Sequence, residues 1–322
     1  MIKMFSGYWA QRFADEIAAG RTEEQILNEV EMLNLLRNAT GPVDLSLCAS
    51  MPNLRDLYIC LPEAAVSGKE AIAKIPRLRK LVIAGDNFGP EDFEAIACNP
   101  ELAELTINAM EISSFNALAT APKLKHLSLN NVTGSTAEAV AVLGTLTQLR
   151  ISQTELGSLS PLAAMPRLRS LELKEIKLAN VSFLAAPKLV SFTSDVLAVD
   201  ESGLGILAKK MQLTTFDYPV SDLSVLVHCT RLTSIRVNAT ANLDFPVIAH
   251  LPITSIDVYF ATSETQAENI LERARAIWPG LRATGYRQDW SIPKPTGPHN
   301  LTCEPLRKNS SFLKRLFGWR DS

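Results

Sequence analysis

The sequence predicts an α/β solenoid, in which short stacked coils each contribute one strand to a single parallel sheet. Three observations predict it: an apolar pattern that recurs every 19 to 24 residues, apolar residues and prolines at fixed offsets before it, and helix-capping signals at both ends. A unit of this length cannot bury its apolar residues alone, so it must stack against its neighbours. We therefore expect one continuous repeat domain.

The recurring pattern is L-x-x-L-x-L, strict in six units and continued in four more by weaker apolar residues. Side chains alternate along a strand, so the second and third apolar positions face the same side, the core. The ten sets are Leu54-Leu57-Ile59, Leu78-Leu81-Ile83, Leu102-Leu105-Ile107, Leu124-Leu127-Leu129, Leu146-Leu149-Ile151, Leu168-Leu171-Leu173, Leu189-Phe192-Ser194, Leu213-Phe216-Tyr218, Leu232-Ile235-Val237 and Ile253-Ile256-Val258.

Before each pattern come the residues expected on the outer, convex side of each coil. An apolar residue and often a proline stand at fixed offsets, as at Ile72 and Pro76, and proline suits the turn that enters a strand. In the middle units the apolar residues step by three, as at Ile112, Phe115 and Leu118, which is typical of a 3₁₀ helix. The longer units predict convex helices at 68–75, 90–98, 136–143 and 203–210.

This pattern resembles the leucine-rich-repeat family, and its middle units resemble the short bacterial internalin-type repeats. The resemblance covers about residues 43–260 and implies a horseshoe-shaped solenoid with a parallel concave sheet. The family usually carries Asn or Cys at the ninth position of each unit, but this chain has residues such as Met110, Val132 and Ile176 there. Without that asparagine ladder we expect less regular turns and variable curvature.

Both ends of the array carry helix signals, as terminal units of a solenoid require. At the N-terminus we expect a helix containing Phe13 and Ile17. A second helix should begin at the capping box 22–25 and bury Ile26, Val30, Leu33 and Leu36, with 43–47 as a first partial strand. At the C-terminus the capping box 263–266 predicts a helix that ends at Pro279-Gly280, with a last edge strand over 281–286.

The predicted organisation therefore has four parts. They are a helical N-terminal cap over 1–42, the repeat array over 43–262, a capping helix with an edge strand over 263–286, and a Pro-rich linker with a basic amphipathic tail over 287–322. Residues 311–320 interleave apolar and basic side chains, which suits a helix on a membrane surface or a partner. We favour instead that this tail folds back or stays disordered, because ten residues form a marginal helix.

Composition excludes several classes of function. Lys and Arg number 32 against 34 Asp and Glu, so no field of the whole chain attracts nucleic acid. The N-terminal segment contains Asp15 and Glu16 where a signal peptide needs an apolar core, and no segment has 18 uninterrupted apolar residues. Five cysteines without C-x-x-C spacing suggest free thiols in a reducing compartment. We expect a cytoplasmic protein.

The predicted contact surface is the concave face of the sheet, formed by the strand residues that alternate with the inward leucines. Its residues form three rows across the array, rich in hydroxyl and charged groups, and exposed aromatic residues often anchor interfaces. Acidic members number six and basic members four, which argues against phosphate binding and favours a basic partner. The predicted partner-binding residues are Tyr58, Lys80, Glu104, His126, Arg150, Glu172, Asp195, Asp217, Arg236, Asp257 and Tyr259.

No catalytic or metal-binding motif stands out. The chain has four histidines and contains no HExxH, C-x-x-C, GxSxG or GxxxxGK pattern. Glu104, His126 and Ser128 could in principle form a nucleophilic site on adjacent strands. However, Ser128 lies two residues from His126 on one strand, about 6–7 Å away, which is too far for direct proton transfer. We predict no enzyme, cofactor or metal.

These observations favour a non-enzymatic protein that binds another protein through the concave face. A narrower hypothesis is an inhibitor, such as an immunity protein that neutralises a toxin, because the chain has no effector domain beside the repeats. The alternative from another class is a membrane-associated scaffold recruited through residues 311–320.

Overall fold

The computed structural model describes residues 8–36, 42–61, 65–85, 87–89, 91–176, 180–194, 202–239, 242–261 and 263–288. All of them belong to one compact unit that ends at Gln288. The predictions for Asp195 and for the tail beyond Gln288 lie outside the described residues. Among the described residues, no helix combines the length and the apolar character needed to cross a bilayer.

A 12-stranded, all-parallel sheet runs the length of this unit, and its strands follow one another in chain order except for two short strands that lie outside it. Sequence neighbours are therefore spatial neighbours, which makes each unit one turn of a solenoid. The fold is the predicted leucine-rich-repeat solenoid. The strands are β1 (Met32–Leu36), β2 (Val43–Asp44), β3 (Asp56–Cys60), β4 (Val66–Ser67), β5 (Lys80–Ala84), β6 (Glu104–Asn108), β7 (His126–Asn130), β8 (Gln148–Ser152), β9 (Ser170–Lys174), β10 (Ser191–Ser194), β11 (Thr215–Val220), β12 (Ser234–Asn238), β13 (Ser255–Ala261) and β14 (Arg282–Gln288).

The strands pair in the register that the repeat predicts. Leu105 of β6 lies opposite Leu81 of β5 and Leu127 of β7, and the same position continues at Leu149 and Leu171. These leucines are at most 2% exposed, so their side chains form one continuous core. A fully buried leucine contributes roughly 1.5–3 kcal/mol, and stacking provides that burial where a single unit could not.

The weaker repeats fill the same core with aromatic rings. Phe192 and Phe216 stand at the position of the second leucine, and their ring centroids lie 5.7 Å apart. Tyr218, at the third position, is fully buried 5.8 Å from Phe216. Larger rings thus replace leucine without interrupting the core.

Most of the units connect one strand of the main sheet to the next through a short helix on the convex side. Two of the four predicted convex helices are α-helical, α3 (Asp92–Ala97) and α4 (Ala137–Ala141), whereas the segments over Lys69–Lys74 and Ser202–Lys209 are 3₁₀ helices. The predicted 3₁₀ geometry of the middle units is confirmed. The other 3₁₀ segments are Leu45–Ser50, Ala117–Thr120, Ser160–Ala164, Ser182–Ala185, Leu223–Leu226 and Phe245–Ile248.

At the N-terminus the structure corrects the predicted second helix. Helices α1 (Tyr8–Ala18) and α2 (Glu23–Glu29) form, and the Thr22 capping box is present, but α2 ends at Glu29 and Met32–Leu36 is strand β1. The helical cap over 1–42 therefore contains the first strand of the sheet. Val30, Leu33 and Leu35 carry the repeat spacing 24 residues before Leu54. Extension lets β1 pair with β3 while Leu33 and Leu35 stay buried.

The predicted first strand over 43–47 is also different. Only Val43–Asp44 is extended, and it pairs with Val66–Ser67 in a separate two-stranded sheet. The place beside β3 in the main sheet is already taken by β1. Asp44 then accepts a hydrogen bond from the Ser46 amide at 2.8 Å, which begins the 3₁₀ segment Leu45–Ser50.

At the C-terminus the predicted helix and edge strand form, but the helix ends at Arg275, before its predicted end at Pro279-Gly280. Helix α5 (Glu264–Arg275) begins at Ser263, whose hydroxyl accepts a hydrogen bond from the Gln266 amide, and β14 follows as the last strand of the sheet. Trp278 is buried between them, and its indole N–H donates to the Leu251 carbonyl at 2.9 Å. These contacts cover the last apolar unit of the array.

The turns after the strands are more regular than the missing asparagine ladder led us to expect. Ala109, Asn131, Gln153 and Glu175 follow four consecutive strands, and all have φ between 50° and 53°. The main chain holds these turns, because each of the first three donates its amide to a carbonyl of the next unit at 2.9–3.1 Å. The expectation of irregular turns is therefore wrong in this part of the array.

Candidate partner-binding face

The concave face carries the side chains that alternate with the buried leucines on β3 to β13. Strand register places the first row in line, from Asp56 through Lys80, Glu104 and His126 to Gln148. Adjacent members stand one strand apart, about 4.8 Å in the backbone. The face is thus a fixed grid of polar groups.

Predicted contact residues pair with one another across the middle strands. Lys80 Nζ lies 5.7 Å from the centre of the Tyr58 ring, within the range of a cation–π contact. On the next strands His126 Nδ1 lies 3.5 Å from Glu104 Oε1. All four side chains are partly exposed, so they can change partners when another surface arrives.

Glu172 is the centre of a group of three charged side chains on this face. Arg150 Nε on the neighbouring strand β8 donates to Glu172 Oε2 at 2.7 Å, and Lys174 Nζ on its own strand lies 2.6 Å from Glu172 Oε1. Partial burial on its own would raise the pKa of Glu172, but the hydrogen bonds from Lys174 and Arg150 lower it below its usual value. Arg150 is about half exposed, so the group presents a guanidinium edge to solvent.

On the C-terminal strands, charged side chains of the concave face are largely buried. Arg236 Nε donates to Asp257 Oδ2 at 3.0 Å, and its Nη1 donates to the main-chain oxygens of Ser194 and Asp217 at 2.5 and 3.1 Å. The guanidinium also lies 5.1 Å from the centre of the Tyr259 ring. Arg236 is 8% and Tyr259 9% exposed, so neither is the open contact residue that the sequence predicts.

A register shift in β11 accounts for the burial of Arg236. Pairing of β11 with β12 is interrupted between Phe216 and Val220, where strand amides no longer follow the regular ladder. Arg236 donates to the Asp217 carbonyl in this stretch and to the Ser194 carbonyl at the end of β10. Asp217 lies at the same place; burial raises the pKa of its carboxyl group, an effect that the hydrogen bond from the Ser234 hydroxyl and the charge of Arg236 only partly offset.

The structure places Glu104 on β6 and both His126 and Ser128 on the adjacent strand β7. The imidazole of His126 contacts Glu104 of the preceding strand, while Ser128 lies further along the strand of His126 itself. In the part of the chain that the structure describes, no group of three His, Cys, Asp or Glu side chains could hold a metal ion. Two clefts lie at the N-terminal helices and are lined by charged residues such as Arg12, Glu16 and Arg21.

Sequence reasoning did not select Lys174, although it completes the group around Glu172. It stands in the third row, two residues after Glu172 on the same strand. Residues two apart on a strand share a face, so a carboxylate followed by a lysine at that spacing is the signal that could have identified the pair. Asp195 lies outside the described residues.

Comparisons with known proteins give likeness in structure alone. No family model matches the chain. No curated protein matches it. Among solved structures, the internalin InlF of Listeria monocytogenes is 15% identical, with a TM-score of 0.46 over 81% of this chain and 88% of that one. The internalin InlC2 of that organism is 18% identical, with a TM-score of 0.44 over 69% and 90%. The functional domain of its InlJ, which includes a cysteine ladder, is 14% identical, with a TM-score of 0.46 over 82% and 54%.

Proposed function

We propose that the chain is a non-enzymatic scaffold that binds another protein on the concave face, with the group Arg150, Glu172 and Lys174 near the centre of the contact. The observation that carries this proposal is the ion-pair geometry of that group. Two cations hold one carboxylate at 2.6–2.7 Å on adjacent strands of a rigid sheet. Side chains that are fixed before binding lose little entropy on association, which is what a specific polar contact needs.

The partner that fits this face carries basic side chains opposite Glu104, since Arg150 and Lys174 already bind the carboxylate of Glu172. Glu104 lies in the middle strands, is 45% exposed and belongs to the surplus of acidic residues in the three rows. Charge complementarity of this kind raises the rate of association and rejects partners of the wrong sign. A narrower form of the proposal is that the chain inhibits this partner, as an immunity protein inhibits a toxin.

The test uses the full chain as bait in lysate of its native cell, beside a charge-swapped variant, Arg150→Glu with Glu172→Arg. The swap keeps an ion pair between β8 and β9 but reverses the charges shown to a partner. The matched control swaps Glu268 and Arg275, an ion pair on α5. We expect one partner that binds wild type and the control variant and is lost from the concave-face variant.

The outcomes test separately whether the concave face binds a partner and whether that binding inhibits the partner. A partner retained by the concave-face variant would place the contact elsewhere and contradict the proposal. If the partner is an enzyme, its activity is measured with equimolar wild-type chain. Loss of activity supports inhibition, whereas unchanged activity leaves a scaffold without an inhibitory role.

A further inference from the structure

A second charged surface lies beside the sheet, at the end where the chain enters each strand. It consists of the residues directly before and after the first leucine of the repeat pattern, and we call it the basic flank. Nine of its residues are Lys or Arg, and all nine are exposed, whereas Glu101 is its one acidic residue between Asn53 and Thr254. The nine are Arg55, Arg77, Arg79, Lys123, Lys125, Arg167, Arg169, Lys188 and Arg231.

Main-chain hydrogen bonds hold the flank in line. The Arg55 carbonyl accepts from the Arg79 amide at 2.8 Å, the Arg79 carbonyl from Ala103 at 2.9 Å, and the Ala103 carbonyl from Lys125 at 3.0 Å. The same bonds continue through Thr147 to Arg169. The basic residues thus project from one rigid edge, with neighbouring units about 4.8 Å apart.

Most of these basic side chains form no ion pair with a carboxylate among the described residues. Within the described ranges, Lys123 forms the only ion pair of the flank, with Glu101 at 2.6 Å, and Arg77 donates instead to the neutral amide of Asn53. The whole chain has a net charge of −2, so the rest of the molecule is acidic while this edge is basic. Unpaired like charges in a row are unfavourable unless an anion neutralises them.

The shape of the flank favours a narrow anion. It is two side chains wide, and the acidic first-row residues Asp56 and Glu104 lie directly beside it on the concave face. A nucleic acid duplex is broad enough to meet those carboxylates. The flank also lacks exposed aromatic side chains at its positions from Asn53 to Thr254, which single-stranded nucleic acid would use for stacking.

The spacing of the charges suits an extended peptide. Arg79, Lys125 and Arg169 stand on alternate units, roughly 10 Å apart, with the short neutral residues Ala103 and Thr147 between them. Three residues of an extended chain span the same distance. We propose that the basic flank binds an extended acidic segment of a partner protein, independently of the concave face.

The test measures binding of a labelled oligoglutamate peptide to the full chain by fluorescence anisotropy, with oligothymidylate of equal length as the second probe. The flank variant is Arg79→Glu with Arg169→Glu. The matched control is Lys74→Glu with Lys209→Glu, two exposed lysines on the convex side. Circular dichroism verifies that both variants remain folded.

Wild type should bind oligoglutamate more tightly than oligothymidylate, and added salt should weaken the binding. The flank variant should bind about tenfold more weakly, while the control and the concave-face swap should stay within about twofold of wild type. The proposal would be overturned if the flank and control variants lost binding equally, or if the concave-face swap lost binding. Tighter binding of oligothymidylate, or no binding of either probe, would also overturn it.

Discussion

Arg236 on β12 and Asp257 on β13 form an ion pair of 3.0 Å that is largely shielded from solvent, with side-chain exposures of 10% and 19%. The pair stands on the same face as Arg150 and Glu172, which are 53% and 21% exposed. Two Arg–carboxylate pairs at equivalent places in the repeat therefore differ chiefly in burial. That difference separates a structural part of the concave face from an open part.

Removal of the buried guanidinium should destabilise the fold. Arg236→Ala leaves Asp257 without its cation and two main-chain oxygens without a donor, so we expect a loss of about 3–5 kcal/mol in the free energy of unfolding. Arg150→Ala, at the open pair, should cost at most about 1 kcal/mol. Urea denaturation of both variants measures the contrast, and similar losses would contradict the structural role of Arg236.

The buried Lys210 should lower stability at neutral pH. Its side chain is 4% exposed, its ammonium donates to the Ala186 carbonyl, and burial lowers its pKa below 10.5. Lys210→Met should therefore raise the free energy of unfolding at pH 7 by about 1 kcal/mol. The equivalent residue of an earlier unit is Met165, which the core accommodates.

The same substitution has a defined pH dependence. Between the lowered pKa of folded Lys210 and the ordinary value of 10.5, the unfolded chain binds the proton and the folded chain does not. Stability of wild type therefore rises through this window, and the advantage of Lys210→Met should shrink. Melting temperatures at pH 7 and pH 10 measure it; an advantage that grows with pH would refute the prediction.

The turn after β6 should tolerate glycine better than alanine. Ala109 has φ of 50°, a left-handed conformation that is strained for residues with a Cβ and not for glycine. Ala109→Gly should stabilise the protein by about 0.5–1 kcal/mol. Ala119→Gly, in the exposed 3₁₀ helix Ala117–Thr120, is the control and should destabilise it. Opposite signs in thermal denaturation are the expected result.

Neighbouring residues of one strand lie on opposite faces of the sheet, so their substitutions by alanine should differ most in the stability lost. Leu127 is buried at 1% exposure in the core, and His126 next to it is on the concave face. Leu127→Ala should cost about 2–5 kcal/mol, whereas His126→Ala should stay within about 0.5 kcal/mol. Equal costs in chemical denaturation would mean that the register is different.

Most of the fold follows from local pattern. The ten predicted units all form strands of the main sheet, and two helices begin at the predicted N-caps Thr22 and Ser263, because each depends on spacing within a few residues. The sequence does not distinguish the first strand from a helix, because Val30 and Leu33 carry the repeat spacing and also continue the helical spacing from Ile26. Only the presence of β3 as a pairing partner makes the extended form of Met32–Leu36 more favourable.

The sequence predicted which residues lie on the concave face, but it did not predict how deeply each one is buried there. The register rule placed Glu104, His126, Arg150 and Glu172 on one face, as observed. It could not show that Arg236 and Tyr259 are buried there, because their burial depends on a register shift in β11 and on Ser194, 42 residues away in the chain.

The amino-acid sequence alone determined the ten central coils, their parallel stacking and which of their residues face inward, because burial of regularly spaced leucines fixes all three. Tertiary structure decided which polar residues remain open. The exposure of a side chain depends on which groups the neighbouring coils place beside it. Where strand pairing is irregular, main-chain carbonyls without a strand partner accept hydrogen bonds from the nearest strong donor.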